Sequence, residues 1–280
     1  MSISYQEFSQ KLSLELTPLY DSQEAQNLVE WLLEHHLGLK RMDLFKFMKE
    51  EALPEVLYSD LERLKEGEPI QYILGHCPFY GRDFKVNQHT LIPRNETEEL
   101  VHLIIKENPK PGLKILDIGT GTGCIPISLS LEMTSPEVFG LDISEGAIEV
   151  AKENALKNRA QVKFLNCDIL KSFPDLPQLD IIVSNPPYVP QSEKKEMHQN
   201  VVEFEPHLAL FVPDSDPLVF YRVIAEKSKD LLNPGGKLYF EIYEKAGTEI
   251  SDLLKNLGFD QIKLHKDLNG KDRIISAVLA

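Results

Sequence analysis

The tetrapeptide Asn185-Pro186-Pro187-Tyr188, which follows the apolar residues 181–183 and one serine, has the groups needed to activate a planar NH2-bearing nitrogen. Such a nitrogen is a poor nucleophile because its lone pair is delocalised into a carbonyl group or an aromatic ring. The Asn185 side-chain oxygen and the Pro186 carbonyl can each accept one N–H, which turns the lone pair toward an incoming methyl group. The two prolines stiffen the loop, and Tyr188 offers an aromatic face for a flat amide or base. We therefore predict that Asn185, Pro186 and Tyr188 are catalytic and that the whole tetrapeptide, with Pro187, binds substrate.

A glycine-rich loop lies upstream, between a strand-like and a helix-like segment. Glycines let the backbone pass close to a ligand, and a helix that begins there offers free N–H groups. The spacing is G-x-G-x-G, whereas a dinucleotide site has G-x-G-x-x-G and holds pyrophosphate at the helix start. An acidic residue before the loop instead favours S-adenosylmethionine, which carries an ammonium group and no phosphate. The residues predicted to bind this cofactor are Asp117, Gly119, Thr120, Gly121, Thr122 and Gly123.

Two further carboxylates follow the next two predicted strands. Asp142 comes about 20 residues after the loop, where an acidic side chain can accept hydrogen bonds from both ribose hydroxyls. Asp168 is placed to accept from the exocyclic amine of adenine, with Ile169 beside the ring. Each aspartate alone is typical of a helix N-cap or a turn, but their order at successive strand ends favours a cofactor site. Asn185 completes the predicted cofactor contacts.

Nearly the whole chain resembles the release factor glutamine N5-methyltransferases, the PrmC/HemK family. Besides the glycine loop and the tetrapeptide, the matching stretches are residues 67–75, Leu91-Ile92-Pro93-Arg94, Glu96-Thr97-Glu98 and Glu205-Pro206. The resemblance implies an α/β fold with a Rossmann-like, seven-stranded class I methyltransferase sheet. It also implies S-adenosylmethionine as cofactor, S-adenosylhomocysteine as product, and the glutamine of the Gly-Gly-Gln motif in class I peptide chain release factors as substrate. The chain departs from the family pattern at three positions. Asn95 stands where proline is usual, Phe204 where tyrosine is common, and Tyr243 where glycine is usual.

The chemistry of these residues, taken without the resemblance, leaves other substrates open. The same site would suit the exocyclic amine of adenine in DNA, which must be flipped out of the helix to be reached. It would also suit a glutamine of a ribosomal protein or guanine N2 in ribosomal RNA. A binding module without turnover is a further alternative, against which the intact tetrapeptide and the cofactor carboxylates argue.

The chain is predicted to have three parts. Residues 1–75 form a helical domain for substrate recognition, residues 76–92 a β-hairpin linker, and residues 93–280 the methyltransferase domain. In the first part, Asp21 and Ser59 are each followed three residues later by a glutamate, a pattern that predicts a helix start. Beyond the linker, strands alternate with helices, as a doubly wound sheet requires.

Charge and composition limit the partners. The net formal charge is −14, with 9 basic against 15 acidic residues in residues 1–85 and 21 against 29 in the remainder. Neither part has the basic surface that binding to nucleic acid needs, so we expect a protein substrate. The N-terminus lacks a signal-peptide pattern and no apolar run is long enough to span a membrane. Three scattered cysteines indicate a reducing compartment, and no residue spacing predicts a metal site. We therefore expect a cytoplasmic monomer.

Overall fold

The computed structural model describes residues 2–43, 46–49 and 53–280. The chain divides into two compact units, one made of residues 1–75 with His198–Phe204 and the other of residues 76–197 with 205–280. The sequence analysis placed residues 198–204 in the methyltransferase domain and treated 76–92 as a separate linker. The structure groups the first segment with the helical unit and the second with the larger unit.

The first unit is mainly helical. Its described elements are β1 (Ser2–Ser4), α1 (Tyr5–Leu16), α2 (Ser22–Leu37), β2 (Phe47–Lys49), α3 (Glu55–Lys65), α4 (Ile70–Leu74) and α8 (Gln199–Phe204). The predicted start of α2 is confirmed, since the Asp21 carboxylate accepts from the backbone N–H groups of Gln23 and Glu24. The predicted helix start at Ser59 is wrong, because α3 begins directly after Pro54 and runs through Ser59. Burial of apolar side chains one helical turn apart keeps this segment helical: Leu57, Leu61 and Leu64.

The second unit begins with a β-hairpin, β3 (His76–Phe79) paired with β4 (Arg82–Lys85). Phe79 and Phe84 are buried, pack edge to face against each other and belong to one core of the large sheet. The turn is held by the backbone N–H of Tyr80, which donates to the Glu98 carboxylate at 2.6 Å. These contacts explain why the hairpin belongs to the second unit.

The described residues of the second unit form one seven-stranded sheet in the order β12-β13-β11-β8-β5-β6-β7. All neighbouring strands are parallel except at β13, which runs antiparallel to β11 and β12. The strands are β5 (Lys114–Ile118), β6 (Glu137–Asp142), β7 (Val162–Asn166), β8 (Leu179–Ser184), β11 (Leu232–Glu241), β12 (Phe259–Lys266) and β13 (Asp272–Leu279), and the short β9 (Val189–Pro190) pairs with β10 (Phe211–Val212). The helices are α5 (Asn95–Glu107), α6 (Cys124–Glu132), α7 (Glu145–Asn158), α9 (Val219–Leu231) and α10 (Gly247–Asn256). The predicted Rossmann-like α/β fold is confirmed.

Both faces of the sheet are buried. Along β8, Ile182 belongs to the core on one face, while Ile181 and Val183 belong to the core on the other. A parallel strand covered on both faces has a continuous apolar sequence, which is why the segment before Asn185 lacks polar alternation. None of the helices among the described residues is long and apolar enough to cross a membrane.

The strand order determines where a ligand can bind. From the central β5, the chain continues outward through β6 and β7 on one side, then returns to β8 on the other side. Open α/β sheets bind ligands at such a switch point, outside the carboxyl ends of the strands. Asp142, Ser184 and Glu241 are the last residues of β6, β8 and β11. Their polar side chains therefore gather at this edge of the sheet.

Candidate active site

A cavity of about 270 Å³ lies at this edge of the second unit. Most of the predicted site residues line it: Gly119, Thr120, Gly121, Thr122, Asp142, Asp168, Ile169, Asn185, Pro186 and Pro187. Asp117, Gly123 and Tyr188 are outside the lining. The wall also includes residues that the sequence analysis did not place there, notably Thr90, Thr97 and Phe220.

The glycine loop connects β5 to α6 and is held against the neighbouring strand. The backbone N–H groups of Gly119 and Thr120 donate to the Leu141 carbonyl at 2.8 and 2.9 Å. Gly119 has φ +76°, and a Cβ atom there would lie 3.8 Å from the Asn185 carbonyl. The loop therefore runs directly beside the predicted catalytic tetrapeptide.

Asp117 is fully buried on β5. Its two side-chain oxygens and the nearby Thr120 hydroxyl are buried, and within the described part of the chain none of them forms a hydrogen bond of good geometry. Burial raises the pKa of Asp117 to about 7, the neighbouring Asp142 carboxylate adds to the rise, and the Thr120 hydroxyl opposes it. A positive charge bound at the loop would stabilise the ionised form of this carboxyl group.

The Asp142 carboxylate joins the glycine loop to the start of α7. One oxygen accepts from the backbone N–H of Gly121 at 2.8 Å, and the other accepts from that of Ser144 at 2.9 Å. Burial raises the pKa of Asp142, while these backbone donors oppose the rise. Each oxygen keeps a second lone pair, so the group can also accept from a diol in the cavity.

Asp168 caps a turn after β7. Its carboxylate accepts from the backbone N–H of Leu170 at 3.0 Å and pairs with the Lys171 ammonium at 3.0 Å. The hydrogen bond from Lys171 lowers the pKa of Asp168. Ile169 is buried in the core that covers one face of the sheet. Both residues line the cavity, while adenine recognition stays a prediction.

Asn185 follows β8, whose last residue, Ser184, donates from its hydroxyl to the Ile118 carbonyl at 2.7 Å. The Asn185 side-chain NH2 donates to the Thr97 hydroxyl at 3.3 Å, and that hydroxyl donates to the Glu241 carboxylate at 2.7 Å. Within residues 2–43, 46–49 and 53–280, nothing donates to the Asn185 Oδ1 atom. This oxygen is the acceptor that the amide chemistry requires.

Comparison with known proteins identifies the family. The model of the methyltransferase small domain matches residues 96–207, and the model of the PrmC N-terminal domain matches residues 10–75. A release factor glutamine methyltransferase from Flavobacterium psychrophilum is 46% identical over 267 residues, covering 93% of this chain and 94% of that protein. One from Bacteroides thetaiotaomicron is 45% identical, covering 94% of this chain and 95% of that protein. The chain belongs to the release factor glutamine methyltransferase family.

Solved structures agree on the fold of this methyltransferase. A methyltransferase from Pyrococcus furiosus has a TM-score of 0.52 at 19% identity, over 71% of this chain and 90% of that one. A 16S rRNA N2 G1207 methyltransferase from T. thermophilus, in complex with AdoMet and guanosine, has a TM-score of 0.51 at 17% identity. That match covers 73% of this chain and 50% of the other. At these identities the likeness concerns the fold alone.

In this family member, Tyr188 packs against Tyr243. Their rings are stacked, with centroids 6.0 Å apart and an angle of 8° between the planes. The Tyr243 hydroxyl donates to the Glu193 carboxylate at 2.5 Å, which holds the second ring in place. Tyr243 is one of the three residues at which the sequence departs from the family pattern, and it covers one face of Tyr188. Contact between Tyr188 and substrate stays a prediction.

The family motif residues Arg94 and Glu205 form an ion pair within the second unit. Glu205 is buried, and its other carboxylate oxygen accepts from the backbone N–H of Ile92 at 3.1 Å. Arg94 also lines the cavity, with 36% of its side chain exposed. The pair therefore fixes the segment 91–94, of which Leu91, Pro93 and Arg94 line the cavity.

Thr97 and Glu241 were not predicted to be site residues. Thr97 entered the prediction only through the family motif Glu96-Thr97-Glu98. The position of Glu241 could have indicated its role, since it ends a strand at the edge of the sheet where ligands bind.

Substitution of Gly123 tests whether the glycine loop needs close packing at this position. It has φ +79°, and a Cβ atom there would meet Ile127 at 3.0 Å and Ala151 at 3.1 Å, whereas Gly121 has φ +52° and open space around it. We expect Gly123→Ala to lower the free energy of unfolding by about 3 kcal/mol and Gly121→Ala by about 1 kcal/mol, because only the first adds a clash to the backbone strain. Urea unfolding measures both. Equal losses in the two variants would contradict the packing role of Gly123.

Proposed function

We propose that this protein transfers a methyl group from S-adenosylmethionine to the side-chain amide nitrogen, N5, of a glutamine. The proposed substrate is the Gly-Gly-Gln motif of class I peptide chain release factors. The observation that carries the proposal is the Asn185 amide oxygen, which has no protein donor among the described residues and belongs to a residue lining the cavity beside the glycine loop. Membership of the release factor glutamine methyltransferase family supports the choice of substrate.

The cavity fits the proposed cofactor. The Asp117 carboxyl group and the Thr120 hydroxyl lie buried beside each other, and a cationic ligand at the adjoining loop would stabilise the ionised carboxylate. Asp142 would accept from the ribose hydroxyls, and Asp168 with Ile169 would hold the adenine. When bound, S-adenosylmethionine supplies a methyl group activated by a sulfonium centre.

The protein's contribution to the reaction is to hold the substrate amide. Asn185 Oδ1 and the Pro186 carbonyl each accept one N–H of the glutamine NH2, which fixes the direction of the nitrogen lone pair. Orientation and exclusion of water account for the rate, and no strong general base is needed. Methyl transfer leaves the glutamine nitrogen with a positive charge, which makes its N–H acidic, so water can remove one proton.

The choice of partner follows from charge and domain organisation. A net charge of −14 disfavours a nucleic acid substrate. We assign recognition of the release factor body to the helical unit, where the PrmC N-terminal domain model matches. The three free cysteines are compatible with the cytoplasmic location that we propose.

The test is methyl incorporation from labelled S-adenosylmethionine into purified release factor. The parallel substrates are the same factor with the motif glutamine changed to alanine, a free Gly-Gly-Gln peptide, a DNA duplex and a ribosome fraction. We expect label only in the wild-type factor and, at higher KM, in the peptide. A lower KM for the intact factor is expected because it offers the helical unit a surface that the peptide lacks.

Each substrate distinguishes one alternative. Label in the alanine variant would place the methyl group on another residue. Label in DNA or in the ribosome fraction, with none in the release factor, would overturn the proposed substrate. Equal KM values for peptide and intact factor would overturn the recognition role of the helical unit.

A further inference from the structure

A chain of hydrogen bonds runs from the cavity into the core of the second unit. It links Asn185 after β8, Thr97 on α5 and Glu241 at the end of β11. Thr97 and Glu241 are 3% and 2% exposed, so water cannot replace either partner. Buried polar groups of this kind are costly unless every member is satisfied.

The number of hydrogens on the Thr97 and Glu241 side chains determines the donor-to-acceptor direction of these hydrogen bonds. A threonine hydroxyl has one hydrogen, and an ionised carboxylate has none. Since Thr97 gives its hydrogen to Glu241, its oxygen can only accept from Asn185. The Asn185 amide must therefore present its NH2 group to Thr97 and keep its oxygen free.

We propose that Thr97 and Glu241 are positioning residues that hold the Asn185 amide with its oxygen available to the substrate. The inference rests on the proposed function, in which that oxygen accepts from the glutamine NH2. With the amide reversed, two NH2 groups would face each other and the substrate would lose an acceptor.

The ionisation state of Glu241 determines which groups donate and which accept in this series of hydrogen bonds. A protonated Glu241 can donate to Thr97, which is then able to donate to the Asn185 oxygen and stabilise the reversed amide. Burial raises the pKa of Glu241 to about 7, hydrogen bonds from the Thr97 and Asn185 side chains and the charge of Arg273 oppose this rise, and Glu96 adds to it. The Glu241 carboxyl group also interacts electrostatically with the hydroxyl groups of Tyr188 and Tyr221. Lowering the pH through this range therefore favours the reversed amide.

The first experiment compares Thr97→Val with Thr97→Ser. Valine has nearly the shape of threonine but removes the hydroxyl that accepts from the Asn185 NH2 at 3.3 Å, so that the Glu241 carboxylate is the acceptor left to this NH2 group. We expect kcat on the release factor to fall roughly 10- to 100-fold in Thr97→Val, with the Kd of S-adenosylmethionine unchanged within about threefold. Thr97→Ser keeps the hydroxyl and should restore most of the rate. Equal kcat values for the two variants would overturn the proposal.

The second experiment uses Glu241→Gln, which keeps the shape of Glu241 and can either accept from or donate to Thr97. At saturating S-adenosylmethionine, wild-type kcat should fall as the pH is lowered from about 8 to about 6, because the protonated acid permits the reversed amide. In Glu241→Gln this acid limb should be absent and kcat moderately lower across the range. Persistence of the acid limb in the variant would count against the role of Glu241.

A measurement without turnover separates this inference from the proposed function. The side-chain NH2 resonance of Asn185, identified by its loss in Asn185→Ala, should exchange slowly with water in the wild-type protein and faster in Thr97→Val. Rapid exchange in the wild type would overturn the hydrogen-bond chain. Slow exchange without methylation of the release factor would retain the chain and reject the proposed substrate.

Discussion

Asn185→Ala is expected to lower kcat for methylation of the release factor by roughly 10²- to 10³-fold, the usual cost of removing one oriented polar contact to a reacting group. The variant lacks Asn185 Oδ1, so the substrate NH2 keeps one proposed acceptor, the Pro186 carbonyl. The Kd of S-adenosylmethionine should change by no more than about threefold, because Asp142 and the glycine loop remain. Single-turnover label transfer and calorimetry measure the two quantities.

Asn233→Ala is the matched control for this substitution. Asn233 also donates through its side-chain NH2, here to the Asp180 carboxylate at 3.0 Å, but it lies at the start of β11, away from the cavity. Its loss should lower the free energy of unfolding by about 1 kcal/mol and leave kcat unchanged. Wild-type turnover in Asn185→Ala would reject the catalytic role of Asn185, and an equal fall in both variants would indicate a general structural effect.

Asp142→Ala is expected to raise the Kd of S-adenosylmethionine about 100-fold, since hydrogen bonds to a charged group contribute more than neutral ones. Two effects add. The ribose hydroxyls lose their acceptor, and the backbone N–H groups of Gly121 and Ser144 lose the carboxylate that holds the loop. Calorimetric titration with S-adenosylmethionine gives the Kd directly.

The control for Asp142 is Asp180, a carboxylate near the amino end of β8 that also accepts two hydrogen bonds, one of them from a backbone N–H. It accepts from the backbone N–H of Lys114 at 2.8 Å and from the Asn233 side chain. Asp180→Ala should destabilise the fold to a similar degree without changing the Kd of S-adenosylmethionine. If Asp142→Ala left this Kd unchanged, the ribose assignment would be wrong.

Local sequence patterns were sufficient for the strands around the site and for ten of the residues that line the cavity. The apolar run before Asn185 and the glycines after Asp117 predicted strands that end at one edge of a sheet. Because parallel strands place their carboxyl ends together, the polar residues that follow them had to meet. This is why Asp142, Asp168 and Asn185 line one cavity although they lie far apart along the chain.

Helix boundaries and ring contacts depended on competing interactions. Ser59 has a capping pattern, but Pro54 already starts the helix, and the buried leucines carry it through Ser59. Tyr188 was predicted to offer an aromatic face to substrate, and Tyr243 stacks on one side of its ring. The sequence contained both residues of each pair and did not determine which contact would form.

Short-range periodicity and backbone stereochemistry specify the order of strands and helices, the glycine loop and the position of Asn185 after β8. The contacts of the Asn185 side chain with Thr97 and Glu241 instead depend on long-range packing. Thr97 is 88 residues from Asn185 and 144 residues from Glu241 along the chain. Alternation along β11 places Glu241 on the same face as Tyr239, but the packing of α5 on that face decides which side chain it meets. Such a partner is selected by the three-dimensional fit of buried polar groups, which no local pattern encodes.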